Sequence, residues 1–570
     1  MQAGGVTDLG AVRDRSEKTP ALFTAVALSL AICAGLLVYG SGRGFDLTDE
    51  VFYLIWTRDP HAYALTYQPF GYLLHPLFRW VGGDLQAWRL TGLAIAAVSG
   101  AFLGRSLPGA ARRPALFALY GAASALTIFF PWIVTPSYNS AANVGALLII
   151  GGVLRTFGEA PRSRRVGAVA AAMGLCVAAF AKPPLFAVAV LGMALTATAV
   201  RRARAPLLAA LALGAALVCV VLPPAELVAL VGRMSLSQHV MGMPNTPLAL
   251  PAKVARDWLA VPPLLIGAAL AAGLGLLLGR VRGSRWLGYA AVALSLAYLG
   301  SVAADAVEGE IPDFLGLAMA MLAGGYAGVA PGARRADRWV IALLLAAPLA
   351  VALGTFNNQW FQLNFSMVFP FIALFALAGE DPAGWRRASA QALAVMGPCA
   401  AMLLAAFAPY SLPAPIFAQQ VPIEAPLAKG QVRVDPQTAA FIQGAHGLAR
   451  GALLIDLSGA GPGVGAVLGG QAPVLPWLNP ATPTWPDVVW SRMSRADRER
   501  AWFVGPTWPA FAASAPARWF AAHKAGYCPT ALPPMTFWGE ERNLELWRPC
   551  VTSPRAPHPA PGASRREPAA

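Results

Sequence analysis

Long apolar runs, separated by short arginine-rich connections, constrain this chain more than any other feature. Only 12% of its residues are charged, whereas soluble domains typically have about 25%. A helix needs about 20 mostly apolar residues to cross the hydrocarbon core, and that rule predicts about thirteen spans. They lie near 21-41, 88-106, 114-134, 139-156, 166-182, 184-200, 205-223, 259-279, 286-304, 313-331, 339-356, 366-379 and 389-409. The sequence therefore predicts a polytopic α-helical membrane protein.

Arginines mark every second connection between the predicted spans. The clusters lie at 105-113, 155-165, 201-204, 280-285, 334-338 and 386-387. Basic residues concentrate in short cytoplasmic loops and attract anionic lipid headgroups. The alternation predicts a cytoplasmic N-terminal tail over 1-20 and places the chain after residue 410 outside. It also accounts for the formal charge of +15, so we expect no nucleic-acid partner.

Residues 411-552 have the composition of a small soluble domain. Gly, Pro, Trp and charged residues interrupt the apolar runs at short spacing. The stretch "GALLIDLSG" predicts a buried strand, while "TAAFIQGAHGLA" and "SRADRERAWFV" predict helices. We therefore expect a small extracytoplasmic α/β or α+β domain, followed by a disordered tail over 553-570.

Cys528 and Cys550 are the only cysteines of this C-terminal region. The outer side of the membrane is oxidising, so a disulfide between them is predicted in preference to two free thiols. Neither has His or Cys neighbours at the spacing of a zinc site, so no zinc is expected there.

The first outer loop, 40-87, carries a group of acidic residues directly after the first apolar run. Its segment "GRGFDLTDEVFYLIWTRDP" contains Asp46, Asp49 and Glu50. One interpretation is an interfacial helix with Thr48 as N-cap, the acids in its first turn and its aromatic residues in the headgroup belt. Another is the floor of an active site. The two interpretations are compatible.

Other polar residues interrupt apolar sequence on the same side of the membrane. They occur in "TPSYNS" (135-140), at Lys182 in the hairpin "KPP", and in "GTFNNQWFQLN" (354-364). Each stretch alone is weak evidence, since prolines and asparagines often cap helices. Because all project to the side of the acidic loop, they could line one cavity. The outer loop 223-258, which contains Arg233, is predicted to be a lid over a lipid-lined cavity or a plain interfacial loop.

The first hundred residues resemble a known family. The segments "DLTDEVFYL" and "PFGYLLHPL", followed by Arg89 in "WRLTGLAIAAVSGAFLG", are similar to the C-type (GT-C) membrane glycosyltransferases. The closest likeness is to bacterial protein-mannosyltransferase-like and aminoarabinose-transferase-like enzymes. The layout of many spans, an acidic first outer loop and a soluble domain after the last span extends over nearly the whole chain. The resemblance implies a GT-C-like domain over 21-410 in a bacterial inner membrane.

The resemblance also implies an activity and an active site. The expected enzyme is an inverting glycosyltransferase that uses a polyprenyl-phosphate sugar donor and an acceptor hydroxyl on a lipid, glycan or protein. Asp49 is expected to be the general base, with Glu50 as the second catalytic carboxylate. Asp46, Tyr53 and Asn139 are expected to support them.

A leaving lipid phosphate develops negative charge that a cation can stabilise. The expected phosphate-binding residues are Arg89, Lys182, Arg58 and Arg233. For Arg89 the resemblance implies that it holds either the loop or the donor phosphate. Lys182 is preferred, because a cation at a hairpin tip beside the bilayer can reach a lipid headgroup. Asn139 stands where many relatives have a second acidic residue, and an amide is a poor metal ligand. No metal is therefore assigned to the site, and a divalent ion stays an open alternative.

Two functions without catalysis also stay open. A lipid or solute transporter would show inverted repeats and charges at mid-membrane; the chain has no clear repeat and few such charges. A scaffold in surface-polysaccharide assembly would keep the layout of the family without its activity. The missing second acid is the feature that keeps this scaffold alternative open.

Overall fold

The structure is a computed structural model. It describes residues 9–63, 65, 68–240, 250–278, 285–302, 313–329, 335–355, 358–381, 384–537 and 540–550. The tail predicted to be disordered, 553-570, lies outside the described residues, as does part of the loop 223-258.

Each predicted span coincides with a helix. In chain order the helices up to residue 407 are α1 Leu9–Gly40, α2 Asp49–Arg58, α3 Phe70–Trp80, α4 Leu85–Ser106, α5 Pro114–Ala125, α6 Tyr138–Thr156, α7 Pro161–Ala181, α8 Pro183–Ala199, α9 Arg201–Val221, α10 Pro224–Val240, α11 Leu250–Leu259, α12 Pro263–Leu278, α13 Arg285–Ser301, α14 Leu315–Val329, α15 Arg335–Ala352, α16 Gln359–Leu363, α17 Val368–Glu380 and α18 Gly384–Phe407. Short 3-10 turns follow α4, α5 and α16.

The lengths of these helices support fewer crossings than the sequence predicts. Among the described residues, five helices are long and apolar enough to cross a membrane: Pro20–Gly40, Leu85–Ser106, Pro161–Ala181, Arg201–Val221 and Gly384–Phe407. Two bent helix pairs raise the number to seven if each pair is one span. The protein is therefore a mostly helical, multi-pass membrane protein, and thirteen spans stay a prediction.

Local sequence explains where the helices next to the predicted site begin and end. Helix α7 ends at Ala181 and α8 begins at Pro183, since proline is tolerated in the first turn of a helix but not in its interior. Ser137 and Ser140 form a capping box at the start of α6, so "TPSYNS" is a helix start. Helix α1 begins at Leu9, within the segment that we predicted to be a tail.

All strands that the structure describes follow α18. They are β1 Val421–Glu424, β2 Gln431–Val434, β3 Leu454–Asp456, β4 Trp502–Gly505, β5 Tyr527–Ala531, β6 Met535–Phe537, β7 Glu540–Arg542 and β8 Glu545–Pro549. The four-stranded sheet has the order β3-β4-β8-β5, with β3 parallel to β4 and the other pairs antiparallel; β1-β2 and β6-β7 are separate antiparallel pairs. Helices α19 Pro436–Ala445, α20 Pro462–Leu468, α21 Trp485–Ser491, α22 Arg495–Arg500 and α23 Ala515–His523 lie between the strands.

The sequence patterns of this C-terminal segment (residues 411–550) had mixed success. "GALLIDLSG" contains β3 and "TAAFIQGAHGLA" contains most of α19. The helix predicted for "SRADRERAWFV" was wrong in its second half, because Trp502–Gly505 is strand β4. Phe503 there pairs with Ile455 of β3 and is fully buried, so sheet pairing overrides the helical tendency of the preceding residues. A disulfide joins Cys528 to Cys550.

The part of the first outer loop between the end of α1 and the start of α4, residues 41–84, is called the first loop below. Main-chain hydrogen bonds dock the C-terminal segment on it. The Gly44 N–H donates to the Arg433 carbonyl at 2.8 Å, and the Lys429 N–H donates to the Gly83 carbonyl at 2.8 Å. At the start of α20, the Gly463 N–H donates to the Leu47 carbonyl at 2.7 Å. A Cβ at Gly463 would lie 2.3 Å from that carbonyl oxygen, so this approach requires glycine. These contacts hold the C-terminal segment over α2.

Candidate functional site

Asp46 fixes the backbone at the start of α2. One of its carboxylate oxygens accepts hydrogen bonds from the Thr48 N–H at 2.8 Å and the Thr48 hydroxyl at 2.6 Å. The other accepts from the Glu50 N–H at 3.1 Å. Asp46 therefore satisfies helix-terminal N–H groups, whereas Thr48, which we expected to be the cap, makes no capping bond with its side chain. Burial raises the pKa of Asp46 to about 7, with the charge of Asp49 as a second cause.

Glu50 is held in a buried ion pair with Arg89. Arg89 Nη2 donates to Oε1 of Glu50 at 2.6 Å and to Oε2 at 2.8 Å, and the two side chains are 3% and 6% exposed. The same guanidinium also donates to the carbonyls of Ser41 and Gly44 at 2.9 and 2.8 Å, and Glu50 accepts from the Thr135 hydroxyl. These bonds occupy Arg89 and Glu50 in holding the first loop to α4.

Asp49 differs from its two acidic neighbours because it lines a cavity. The cavity has a volume of about 370 Å³. The Tyr53 and Tyr410 hydroxyls donate hydrogen bonds to the Asp49 carboxylate. Burial raises the pKa of Asp49 to about 6, and the two tyrosine hydrogen bonds oppose that rise. Burial also raises the pKa of Tyr53 and Tyr410 well above the usual value, so both phenols stay protonated and able to donate.

Residues from distant parts of the chain enclose this Asp49 cavity. From the helical part come Phe52 and Tyr138, together with Gln68, Thr355 and Tyr410. From the C-terminal segment come Trp477, Asn479, Pro480, Ala481, Trp508, Glu540 and Arg542. Tyr138 belongs to "TPSYNS" and Thr355 to "GTFNNQWFQLN". Two of the polar stretches singled out in the sequence therefore meet beside Asp49.

Tyr138 connects the Asp49 cavity to Lys182. Its ring lies 5.6 Å from that of Tyr53, centroid to centroid, and 5.3 Å from the Lys182 ammonium. Lys182 is 3% exposed and donates to the Val351 carbonyl at 2.9 Å and to Gln362 Oε1 at 3.4 Å. The expected hairpin is present, but its lysine points into the protein, where a ring face and neutral oxygens surround the charge.

An apolar groove of about 270 Å³ adjoins Lys182. It runs between α6, α8 and α15 and is lined by Ala146, Ile149, Ile150, Val153, Leu185, Val188, Ala189, Gly192, Met193, Thr196, Leu343, Ala346, Ala347 and Ala350. Leu185 lies one turn after Lys182, and Ala350 precedes the carbonyl that Lys182 contacts. Residues near Lys182 and its acceptor carbonyl therefore line the groove, whereas Tyr138, beside its ammonium, lines the Asp49 cavity.

The other predicted site residues have different surroundings. Asn139 is buried at the start of α6, where its main-chain carbonyl accepts from the Asn143 side-chain amide at 3.0 Å. Arg58 is exposed at the end of α2. Arg233 is half-buried and donates to the Tyr72 hydroxyl at 2.6 Å. None of the three lines the Asp49 cavity as the described residues define it.

The interpretation of α2 as an interfacial helix with its aromatic residues in the headgroup belt does not fit the burial of three of them. Phe52, Tyr53 and Trp56 are 3%, 1% and 1% exposed. The ring of Trp477, in the C-terminal segment, lies 6.1 Å from that of Phe52, centroid to centroid. The C-terminal segment covers this face of α2, which local sequence could not reveal.

Several cavity residues were missed by reasoning from the sequence. Tyr410 follows the last long apolar run directly, and this position at the outer end of a predicted span could have identified it as a site residue. Trp477 and Trp508 each neighbour proline in "LPWLNP" and "PTWPAF", a pattern typical of shaped loops. Arg542 lies in β7, and no feature of the sequence marked it as a site residue.

In the described ranges, no group of three or more His, Cys, Asp or Glu residues could hold a metal ion.

Comparisons with known proteins give one structural match. No protein family profile matches the chain, and no curated protein matches it. Among solved structures, the chain is similar to arabinosyltransferase EmbB from Mycobacterium smegmatis, with 16% identity and a TM-score of 0.28. The match covers 72% of this chain and 43% of EmbB, so the chain spans less than half the length of that protein. Since a TM-score this low establishes neither a shared fold nor a shared activity, the case for function comes from the site.

Proposed function

We propose that this protein is an inverting glycosyltransferase with Asp49 as its general base. It would transfer a sugar from a polyprenyl-phosphate donor to an acceptor hydroxyl at the outer face of a bacterial inner membrane. The N-terminus would be cytoplasmic and the C-terminal segment extracytoplasmic, as the arginine pattern predicts. The observation that carries the proposal is the placement of Asp49, which lines a cavity while Asp46 and Glu50 are engaged with the protein.

The surroundings of Asp49 suit a base that works near neutral pH. A carboxyl group whose pKa is raised to about 6 by burial is ionised at pH 7 and is a stronger base than an ordinary aspartate. The hydrogen bonds from Tyr53 and Tyr410 fix its orientation. Asp46 and the Arg89–Glu50 pair hold the backbone that carries it.

The proposed reaction is a single displacement at the anomeric carbon. The acceptor oxygen attacks that carbon as its proton passes to Asp49, and the bond from the anomeric carbon to the phosphate oxygen breaks. The phosphate leaves with the bonding electron pair as a polyprenyl phosphate, and one displacement inverts the configuration. A phosphate leaving group needs stabilisation of negative charge more than it needs a general acid.

Lys182 and the apolar groove are the proposed donor site. A polyprenyl chain is apolar and would lie in the groove between α6, α8 and α15, with its phosphate toward Lys182. The ammonium has neutral oxygen acceptors in the Val351 carbonyl and the Gln362 amide, so an anionic phosphate would be a stronger partner. Arg89 is fully engaged with Glu50 and loop carbonyls, so we assign it to the loop and not to the phosphate.

Transfer from a labelled donor tests the proposal. The purified protein, reconstituted in liposomes, would be incubated with a panel of polyprenyl-phosphate sugars radiolabelled in the sugar, together with an envelope extract from the source cells. We expect a labelled product with inverted anomeric configuration and stoichiometric release of polyprenyl phosphate. The Asp49→Asn protein should bind donor and form no product.

Asp59→Asn is the matched control for that experiment. Asp59 follows α2 and is exposed, and its carboxylate accepts from the His61 N–H. We expect this variant to keep wild-type transfer. Normal transfer by Asp49→Asn would refute the assignment of the base. Absence of product with every donor in the panel would favour the scaffold or transporter alternatives.

A further inference from the structure

The C-terminal segment covers the Asp49 cavity. Asp49 and Tyr410 line the cavity from the helical part, and Trp477, Trp508 and Arg542 line it from the C-terminal segment. The apolar groove beside Lys182 involves none of these C-terminal residues. If the donor chain occupies the groove, the donor sugar and the acceptor meet in the space between Asp49 and the C-terminal segment.

Two tryptophans of the C-terminal segment line this space. Trp477 is 8% exposed, and Trp508 is half-buried with the Arg542 guanidinium 4.2 Å from its ring centroid. Aromatic side chains bury large apolar area while keeping a polar edge. The cavity volume of about 370 Å³ lies at the lower end of ordinary ligand pockets, about 300–1,000 Å³. It suits small rings better than an extended chain.

Polar atoms without a protein partner accompany these walls. Trp477 Nε1, Thr355 Oγ1 and Arg542 Nε are buried and have no hydrogen-bond partner among the described residues. Buried polar groups are normally hydrogen-bonded, and an exception requires an explanation. Thr57 Oγ1 and Trp88 Nε1 share this property elsewhere, so the property alone identifies no site. Three such groups belong to side chains that line one cavity, where a polar ligand could supply the missing partners after small side-chain rotations.

We infer that the acceptor is a saccharide held against Trp477 and Trp508, an inference that rests on the proposed transferase function. A sugar ring has apolar C–H faces and a rim of hydroxyl groups that donate and accept hydrogen bonds. The faces match the indole walls, and the rim matches the indole N–H, the guanidinium N–H and the Thr355 hydroxyl. A lipid acceptor would instead favour continuous apolar walls, such as those of the groove. The acceptor hydroxyl then faces Asp49.

Three acceptor pools from the source cells test this assignment. Saccharides released from the envelope, delipidated envelope proteins and extracted envelope lipids would each be offered with the radiolabelled donor that the protein uses. We expect label in the saccharide pool. Label that appears only in proteins or only in lipids overturns the inference while the proposed transferase function stands.

Conservative variants test the residues themselves. Thr355→Val and Trp477→Phe each remove one polar group and keep most of the packing. We expect each to raise the KM for the saccharide about three- to tenfold, the effect of one lost hydrogen bond, with the KM for the donor unchanged. The matched controls are Thr57→Val and Trp88→Phe, whose polar atoms are also unpartnered but do not line the cavity. Unchanged saccharide KM in both cavity variants overturns the inference.

Saccharide binding in the absence of donor separates the inference from the proposed function. The saccharide pool would be titrated into wild-type, Asp49→Asn and Thr355→Val proteins and followed by saturation-transfer NMR. Binding by the wild-type and Asp49→Asn proteins, together with weaker binding by Thr355→Val, supports the site. This result would count even if the protein turned over no donor. Failure of the wild-type protein to bind the pool overturns the site.

Discussion

Arg89 and Glu50 form a buried ion pair, in which Nη2 of Arg89 lies 2.6 Å from Oε1 and 2.8 Å from Oε2 of Glu50. The pair joins the start of α4 to the first turn of α2, and α2 carries Asp49 one residue earlier. Two adjacent acids in the sequence therefore have different surroundings. Glu50 is bound within the protein, and Asp49 lines a cavity.

Glu50→Gln should reduce stability more than any change at Asp49. The substitution leaves the buried guanidinium of Arg89 without a countercharge, and breaking such a pair costs about 3–5 kcal/mol. Denaturant unfolding in detergent micelles measures the change. Glu499→Gln, in an exposed ion pair with Arg495, is the control and should have little effect. A Glu50→Gln protein with wild-type stability and lost turnover would instead give Glu50 a role in the chemistry.

The rate should fall as pH decreases through about 6. Asp49 acts as a base only when ionised, and burial raises its pKa to about 6, so kcat/KM should rise with pH and level off above that value. Tyr410→Phe removes a hydrogen bond that favours the ionised carboxylate, so the acidic limb should move to higher pH. Tyr63→Phe is the control. Initial rates across mildly acidic to neutral pH check both, and an unmoved limb in Tyr410→Phe would contradict the assignment.

Lys182→Met should weaken donor binding and leave the fold intact. Methionine keeps a similar length beside the apolar groove and removes the buried charge. Loss of a charge-assisted contact to phosphate should raise the donor KM about 10- to 100-fold. The acceptor KM should not change. Lys429→Met, which alters an exposed lysine of the C-terminal segment, should leave both constants unchanged. An unaffected donor KM in Lys182→Met would remove the lysine from the donor site.

Gly463→Ala should separate the C-terminal segment from the first loop. The new Cβ would lie 2.3 Å from the Leu47 carbonyl oxygen and 2.6 Å from the Leu47 Cα, so the backbone has to move. We expect lower thermal stability and faster proteolysis between α18 and β1. Gly526→Ala is the control, because nothing lies within 4 Å of its added Cβ. Equal proteolysis of the two variants would show that this contact does not hold the segment in place.

Local patterns in the sequence predicted much of the helical part. The proline pair after Lys182 predicted the break between α7 and α8, and each apolar run predicted a helix. These features depend on residues that are neighbours in the chain, for which propensity and periodicity are informative. The number of crossings is less certain from the sequence, because several of the apolar helices are short.

The interior of the candidate site could be predicted only in part. The acids at 46, 49 and 50 were found as a group, yet nothing local distinguishes the one that lines the cavity. That distinction arises from Arg89 and from Trp477, which contact α2 from distant parts of the chain. The direction in which Lys182 points likewise depends on Val351 and Gln362. Long-range contacts of this kind leave no signature in a single sequence.

The docking of the C-terminal segment on the first loop also has a consequence for the order in which the protein is made. Synthesis makes Asp49 early and Trp477 and Arg542 late, so the Asp49 cavity has walls on both sides only after the C-terminal segment has been made and has docked on the first loop. A nascent chain therefore carries a base but no enclosed reaction space. The enclosed shape of this cavity is therefore a property of the finished chain and of no shorter N-terminal part of it.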